Sequence, residues 1–273
     1  EISFTSPDPR RFRTFDPILQ DSMVQETRSF VQELIDEDLS VRNFVRSDFG
    51  MLNTRLVTHY VMGEAPVVPG MGLQKVPLGP QSRSGLITQG SILKVTADGS
   101  ITSPVLRGVW IGERILGLHI PPPPPNVGSI EPDIRGATSI RDQLDKHRSD
   151  TSCASCHIKI DPPGFALESF DPTGQWRSHY GVVNKSAKVD PSGVTPEGRK
   201  FNNINDWKRI YHARPELLAE AFARQFLTYA TGSPVRFSDR EAVEKIVSDA
   251  KKSDYGVRTL IHAAVTSEPF LIK

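Results

Sequence analysis

The chain has 273 residues, enough for one large domain or two small ones with real cores. Hydrophobic residues make up 37% and charged residues 24%, the composition of an ordinary globular protein. A formal charge of +1 without any basic run argues against a nucleic-acid or anionic-membrane partner. No apolar stretch approaches the roughly 18 residues of a membrane span.

Asp16-Pro17 reads as an N-cap followed by proline at the first helical position. Leu19, Met23, Phe30, Leu34 and Ile35 then recur near one face, which predicts an amphipathic helix to about Asp36. Residues 38–44 and 51–60 read as two shorter helices, and 66–85 as a loop punctuated by glycine and proline. Strand signals are scarce, with 86–88 and 92–95 the candidates. Ser103-Pro104 opens a helical run through Val105, Val109, Ile111 and Leu116. Five consecutive prolines at 121–125 favour stiff, extended polyproline II. They read as a rigid spacer, the alternative being a ligand for an aromatic groove.

Residues 140–147 form a short predicted helix. Pro215 opens another, with Leu218, Phe222, Phe226 and Tyr229 along one face and Gly232 and Pro234 ending it. Ser238 with Glu241 reads as a capping box for a helix carrying Val243, Ile246, Val247 and Ala250. Residues 258–267 read as the last helix, ended by Pro269. The expected fold is mainly α, with few short strands. The division expected is a helical N-terminal part at 1–120, a proline-rich linker at 121–139 and a second helical domain at 140–273.

Both cysteines fall in Cys153-Ala154-Ser155-Cys156-His157. Two thiols at this spacing can alkylate the two vinyl groups of one haem, and the next residue can then ligate its iron. A closed zinc site would need a second Cys or His pair, and the chain has none at suitable spacing. A thioredoxin-type pair calls for a βαβ context, absent around 148–164. A disulfide across two residues would staple almost nothing. The expectation is one covalent haem c on Cys153 and Cys156, with His157 as proximal ligand. That places the second domain among cytochrome-c-like haem domains of packed helices.

Several segments resemble the C-terminal half of large planctomycete-type cytochrome-c-like proteins. They are LNTRLVTHY at 52–60, GLITQGS at 85–91, TSPVLRGVW at 102–110 and the proline run ending in Asn126-Val127. The most specific block holds His147-Arg148, the 153–157 motif, Asp161-Pro162, GFALE at 164–168, Phe170-Asp171 and GQWR at 174–177. LTYATG at 227–232 and SEPF at 267–270 complete it. Such proteins are usually longer, with an N-terminal region that this chain does not carry. The resemblance implies an exported haem protein, periplasmic or extracellular, and a chain processed from a longer precursor or made as a separate subunit. It does not supply a reaction.

A histidine bound to a metal usually donates its other ring nitrogen to a second group. A tight turn at Asp161-Pro162-Pro163 is expected to offer a carbonyl, or Asp161 its carboxylate, to His157. The distal ligand separates an electron carrier from a catalyst. No methionine follows Met71, so a distal methionine could only be Met23, Met51, Met62 or Met71. His147 is the leading distal candidate, ahead of His59, and a vacant or water-bound position is the third alternative. Phe165, Phe170, Trp176, Phe222, Phe226 and Tyr229 are the expected haem walls. Arg148 and Arg177 are the candidate propionate partners, since guanidinium suits carboxylates. Asp142, Asp145 and Asp150 form a solvated face that could guide a basic redox partner. No phosphate loop, nucleophile elbow or His-Glu metal motif appears.

The function expected is electron transfer by a single-haem module of a larger exported assembly, with a redox partner protein and further subunits. The alternatives are a haem enzyme with an open distal iron, peroxidase-like or reducing small molecules, and a structural or filament subunit.

Overall fold

A computed structural model describes residues 6–60, 70, 72–79, 83–122, 141–142, 144, 151–181 and 186–272, with the backbone alone at 151–153. The fold is mainly α. Ten α-helices and two two-stranded antiparallel sheets are found among the described residues.

Helix α1 runs Pro17–Asp36, and the Asp16 carboxylate caps it by accepting from the Leu19 N–H at 2.8 Å. It buries Leu19, Met23, Phe30 and Leu34. Residues 38–44 give only a 3-10 turn at Val41–Phe44. The helix expected from 51 begins later. Strand β1, Phe49–Leu52, pairs with β2, Gln74–Pro77, and helix α2 covers Thr54–Tyr60. The partner strand lies more than twenty residues downstream, a pairing that local periodicity does not carry.

The two strand candidates at 86–88 and 92–95 are helical. The first is a 3-10 turn at Leu86–Thr88 and the second is helix α3, Gly90–Val95. A short apolar run with no strand beside it satisfies its backbone only by curling on itself. Helix α4, Pro104–Arg114, starts where Ser103-Pro104 predicts, its cap a Ser103 hydroxyl accepting from the Leu106 N–H.

Helix α5, Thr151–Ala166, is followed by β3, Gly193–Val194, and β4, Lys200–Phe201. Helices α6, Ile204–His212, and α7, Pro215–Thr231, come next, and Gly232 closes α7 with φ +67°. Helix α7 buries Leu218 of the expected stripe together with Ala219, Ala221, Ala223 and Leu227; Phe222 and Phe226 pack half-buried against the core, while Tyr229 is 86% exposed. Small residues let neighbouring helices approach closely, and the aromatic stripe is left half out.

Helix α8, Arg240–Ala250, starts after a 3-10 turn in which the Asp239 carboxylate accepts from the Arg236 N–H. The box thus sits two residues earlier than expected, with Arg236 and Asp239 in the places of Ser238 and Glu241. Helix α9, Val257–Val265, is not the last, because Pro269 sits inside a short α10, Glu268–Ile272. Proline is tolerated there in the first turn, where its missing N–H has no partner to lose.

One large cluster of buried side chains runs from Phe30 and Leu34 through Ile111, Phe170 and Trp207 to Leu260 and Ala264. It draws on both sides of the proline run. A smaller cluster joins α1, α2 and the first sheet through Leu19, Met23, Leu56 and Val76.

Polar groups stitch these clusters together. Tyr60 donates its hydroxyl proton to Glu26 Oε2 at 2.6 Å and accepts from the Gly90 N–H at 2.9 Å. Arg83 lies 3.6 Å above the Tyr60 ring and donates to the carbonyls of Thr88 and Gly174. Burial raises the Glu26 carboxyl from 4.5 to about 7, against the lowering pull of Tyr60 and Arg83. The folded state therefore holds a proton on Glu26 that the unfolded chain has released between these two values. Stability from this group is full below about pH 4.5 and falls as pH rises toward 7, by roughly 3 kcal/mol in all. Glu26→Gln should remove that slope. Urea midpoints of both proteins at pH 5 and pH 8 check it, the expected result being a wild-type loss that the variant lacks.

Candidate functional site

Helix α5 carries the cysteine motif. At 3.6 residues per turn, positions 153, 156, 157, 160, 161 and 164 share one face. His157, Ile160, Asp161 and Gly164 on that face are buried, whereas Ser155, Ile158 and Lys159 opposite are exposed. Cys156 is half-buried and in no disulfide. The side chain of Cys153, and all of His147, Arg148, Asp145, Asp150, Met62, Met71 and the prolines from 123 on, lie outside the described residues.

The tight turn expected at Asp161-Pro162-Pro163 is instead helix. Proline in a helix interior costs about 3 kcal/mol because it gives no N–H to the carbonyl four residues back. Here those carbonyls belong to Ile158 and Lys159, on the exposed side where water can reach them. Helical geometry also changes the partner of His157. The Asp161 carboxylate, one turn on, lies with Oδ1 2.8 Å from Nδ1, and its side chain is fully buried. A side-chain carboxylate holds the imidazole where a backbone carbonyl was the first expectation.

Helix α4 lies close against α5 at two glycines. A Cβ on Gly108 would run into the carbonyl of Ile160, and one on Gly164 into the carbonyl of Pro104. The paired positions run in opposite directions, so the two helices are antiparallel. The contacts fall at 160 and 164, on either side of Asp161.

Beyond α5 the chain turns sharply, and Glu168 enters the core with no exposed side-chain surface. Arg107 of α4 meets it at 3.2 Å and also donates to the carbonyls of Leu167 at 2.8 Å, Phe170 at 2.7 Å and Asp171 at 3.0 Å. Burial lowers the Arg107 guanidinium to about 10, with Glu168 opposing, so it stays charged at neutral pH. Glu168 Oε2 accepts from Thr102 at 2.8 Å and Arg177 at 3.0 Å. Two guanidinium groups thus enclose one carboxylate and fix the turn that follows the motif.

The remaining site candidates spread widely. Pro162 is buried, and Phe165 is buried with Arg141 3.9 Å above its ring. Trp176 is half exposed and stands edge-on to Phe170, with ring centres 5.2 Å apart. Arg177, the expected propionate partner within the described residues, donates to Glu168 and Thr102. Phe226 stacks on Phe222, and Tyr229 is exposed. Both stand on α7, whose main neighbours are α8, α9 and the 3-10 turn at Val41–Phe44. His59 is buried: its Nε2 donates to the Thr173 carbonyl at 2.9 Å, and Gln175 lies 3.5 Å from its Nδ1. Desolvation lowers its pKa. Met23 is buried in the smaller cluster and Met51 packs against the larger one.

The Arg107–Glu168 pair was not foreseen, although a signal was present. Arg107 falls three residues after Pro104 and four before Ile111, inside the apolar stripe of α4. Lys208 likewise is buried on α6 beside Trp207, its amine donating to the Ser84 carbonyl at 2.6 Å, and burial pulls its pKa down.

Family models match three stretches. Residues 1–62 match a protein of unknown function (DUF1592), residues 83–180 a protein of unknown function (DUF1588) and residues 197–270 a protein of unknown function (DUF1585). No curated protein and no solved structure matches the chain. The three matches follow one another along the chain and together span most of it, each to a domain whose function is not assigned.

Proposed function

We propose that the protein is a c-type cytochrome module: one haem, bound through thioethers to Cys153 and Cys156 and ligated by His157, passes single electrons within a larger exported assembly. The observation that carries this reading is the carboxylate-held imidazole of His157, on the same helical face as both cysteine positions. Thiols at i and i+3 with an imidazole at i+4 are the donor set for covalent haem. A buried carboxylate on Nδ1 fixes the ring and directs Nε2 as the ligating atom. When bound, the haem supplies a one-electron couple.

The supporting role of the rest of the chain is positional. Arg107, Glu168 and Arg177 hold the turn after α5, and Gly108 and Gly164 let α4 brace it. No helix among the described residues is long and apolar enough to cross a membrane. A redox partner protein and neighbouring subunits belong to the same proposal.

The test is production in a host with haem c maturation, followed by spectra of the oxidised and dithionite-reduced protein with and without carbon monoxide. Sharp reduced bands unmoved by carbon monoxide are expected, and the paired Cys153→Ala and Cys156→Ala variant should lose all covalent haem. A wild-type protein that takes up no haem overturns the reading. A high-spin spectrum that shifts with carbon monoxide replaces the carrier by a haem enzyme with an open iron.

A further inference from the structure

The geometry points to Asp161 as a positioning residue that makes His157 an electron-rich axial ligand and poises the haem at low potential. This rests on the reading of His157 as the iron ligand. A neutral backbone carbonyl on Nδ1 orients an imidazole but adds little charge to it. A carboxylate at 2.8 Å does both, because the N–H bond polarises toward the anion and electron density moves onto the ring.

The surroundings make the charge effective. Asp161 is 0% exposed and His157 is 8% exposed, so water does little to screen the pair. The carboxylate also has little freedom to swing away. Proline at 162 restricts the backbone of residue 161, and α4 presses on α5 at Ile160, one residue before Asp161, and at Gly164, three residues after it.

The sign follows from charge. Ferric iron draws more density from the imidazole than ferrous iron, so a negative group behind the ring stabilises the oxidised form more. On one-electron reduction by a redox partner the proton remains on Nδ1 and the carboxylate stays bonded to it, so no proton leaves the pair. The reduced form is the one penalised, and the module is built to hand its electron onward.

The experiment is a mediator-equilibrated redox titration of the haem-loaded protein, comparing wild type with Asp161→Asn and Asp161→Glu. Asn keeps a hydrogen-bond acceptor but loses the charge, and Glu keeps the charge on a longer arm. Asp161→Asn should favour reduction by tenfold or more, about 59 mV for one electron, while Asp161→Glu should recover at least half of that difference. A haem-loaded Asp161→Asn protein with the wild-type midpoint overturns the inference. If Asp161→Asn does not accumulate, the reduced wild-type protein decides. A strongly downfield, slowly exchanging His157 Nδ1 proton is expected by NMR, and its absence overturns the inference. Failure of the wild type to load haem refutes the functional reading instead, so the two failures are distinct.

Discussion

Arg107→Met should lower folding stability by about 3–5 kcal/mol, because it leaves the Glu168 carboxylate buried with its charge poorly compensated. Arg107 and Glu168 have no exposed side-chain surface, so water cannot take over from the lost guanidinium. Three backbone carbonyls, those of Leu167, Phe170 and Asp171, lose their donor as well. Arg177 remains on Glu168 Oε2 and softens the loss without removing it. Glu168→Gln added to Arg107→Met should recover part of the stability, since the fully buried carboxylate is then neutral, and the partly exposed Arg177, which loses its anion, keeps the recovery incomplete. Urea midpoints for the two single variants and the double variant check this. Additive losses would show that Arg107 acts through the carbonyls alone.

Gly164→Ala and Gly108→Ala should each cost about 2 kcal/mol or more, at the upper end of overpacking penalties. Glycine within a helix ordinarily costs roughly 0.5–1 kcal/mol relative to alanine, so propensity alone predicts the opposite sign. Here the added methyl meets backbone carbonyls, which cannot rotate aside as side chains do, and the whole α4–α5 contact must open. Gly112→Ala on the same α4 is the control. Its methyl would meet the ends of Ile120 and Leu118, which can repack, so its stability should change little. Thermal or urea midpoints for the three variants decide whether backbone contact or helix propensity rules. Equal, small effects at all three positions would discard the close-packed helix pair.

What was legible in the sequence was local chemistry. Asp16-Pro17 and Ser103-Pro104 mark two helix starts because a side-chain acceptor and a proline satisfy the first turn whatever lies around it. Gly232 marks the end of α7 because glycine enters the left-handed region at no steric cost. The cysteine motif is a local pattern of the same kind, spanning five consecutive residues of α5.

Other features turned on partners distant along the chain. Residues 49–52 are a strand only because 74–77 come to lie beside them, and 90–95 are a helix because no strand does. The buried side of α7 was read only in part, because its alanines are buried outright beside Leu218, while Phe222 and Phe226 pack half-buried against the same core. The contact of the buried His59 Nε2 with the Thr173 carbonyl likewise joins residues 114 apart.

The sequence by itself determined the mainly helical class and the helix starts at Asp16-Pro17, Ser103-Pro104 and Pro215, since each depends on residues within one or two turns. Only the tertiary structure decided that helix α5 runs through two prolines, so that Asp161 reaches His157. It also decided that Arg107 and Glu168, 61 residues apart, share one buried site. Burial explains the difference: a charge or a proline is tolerated inside a protein according to what surrounds it, and those surroundings come from distant parts of the chain.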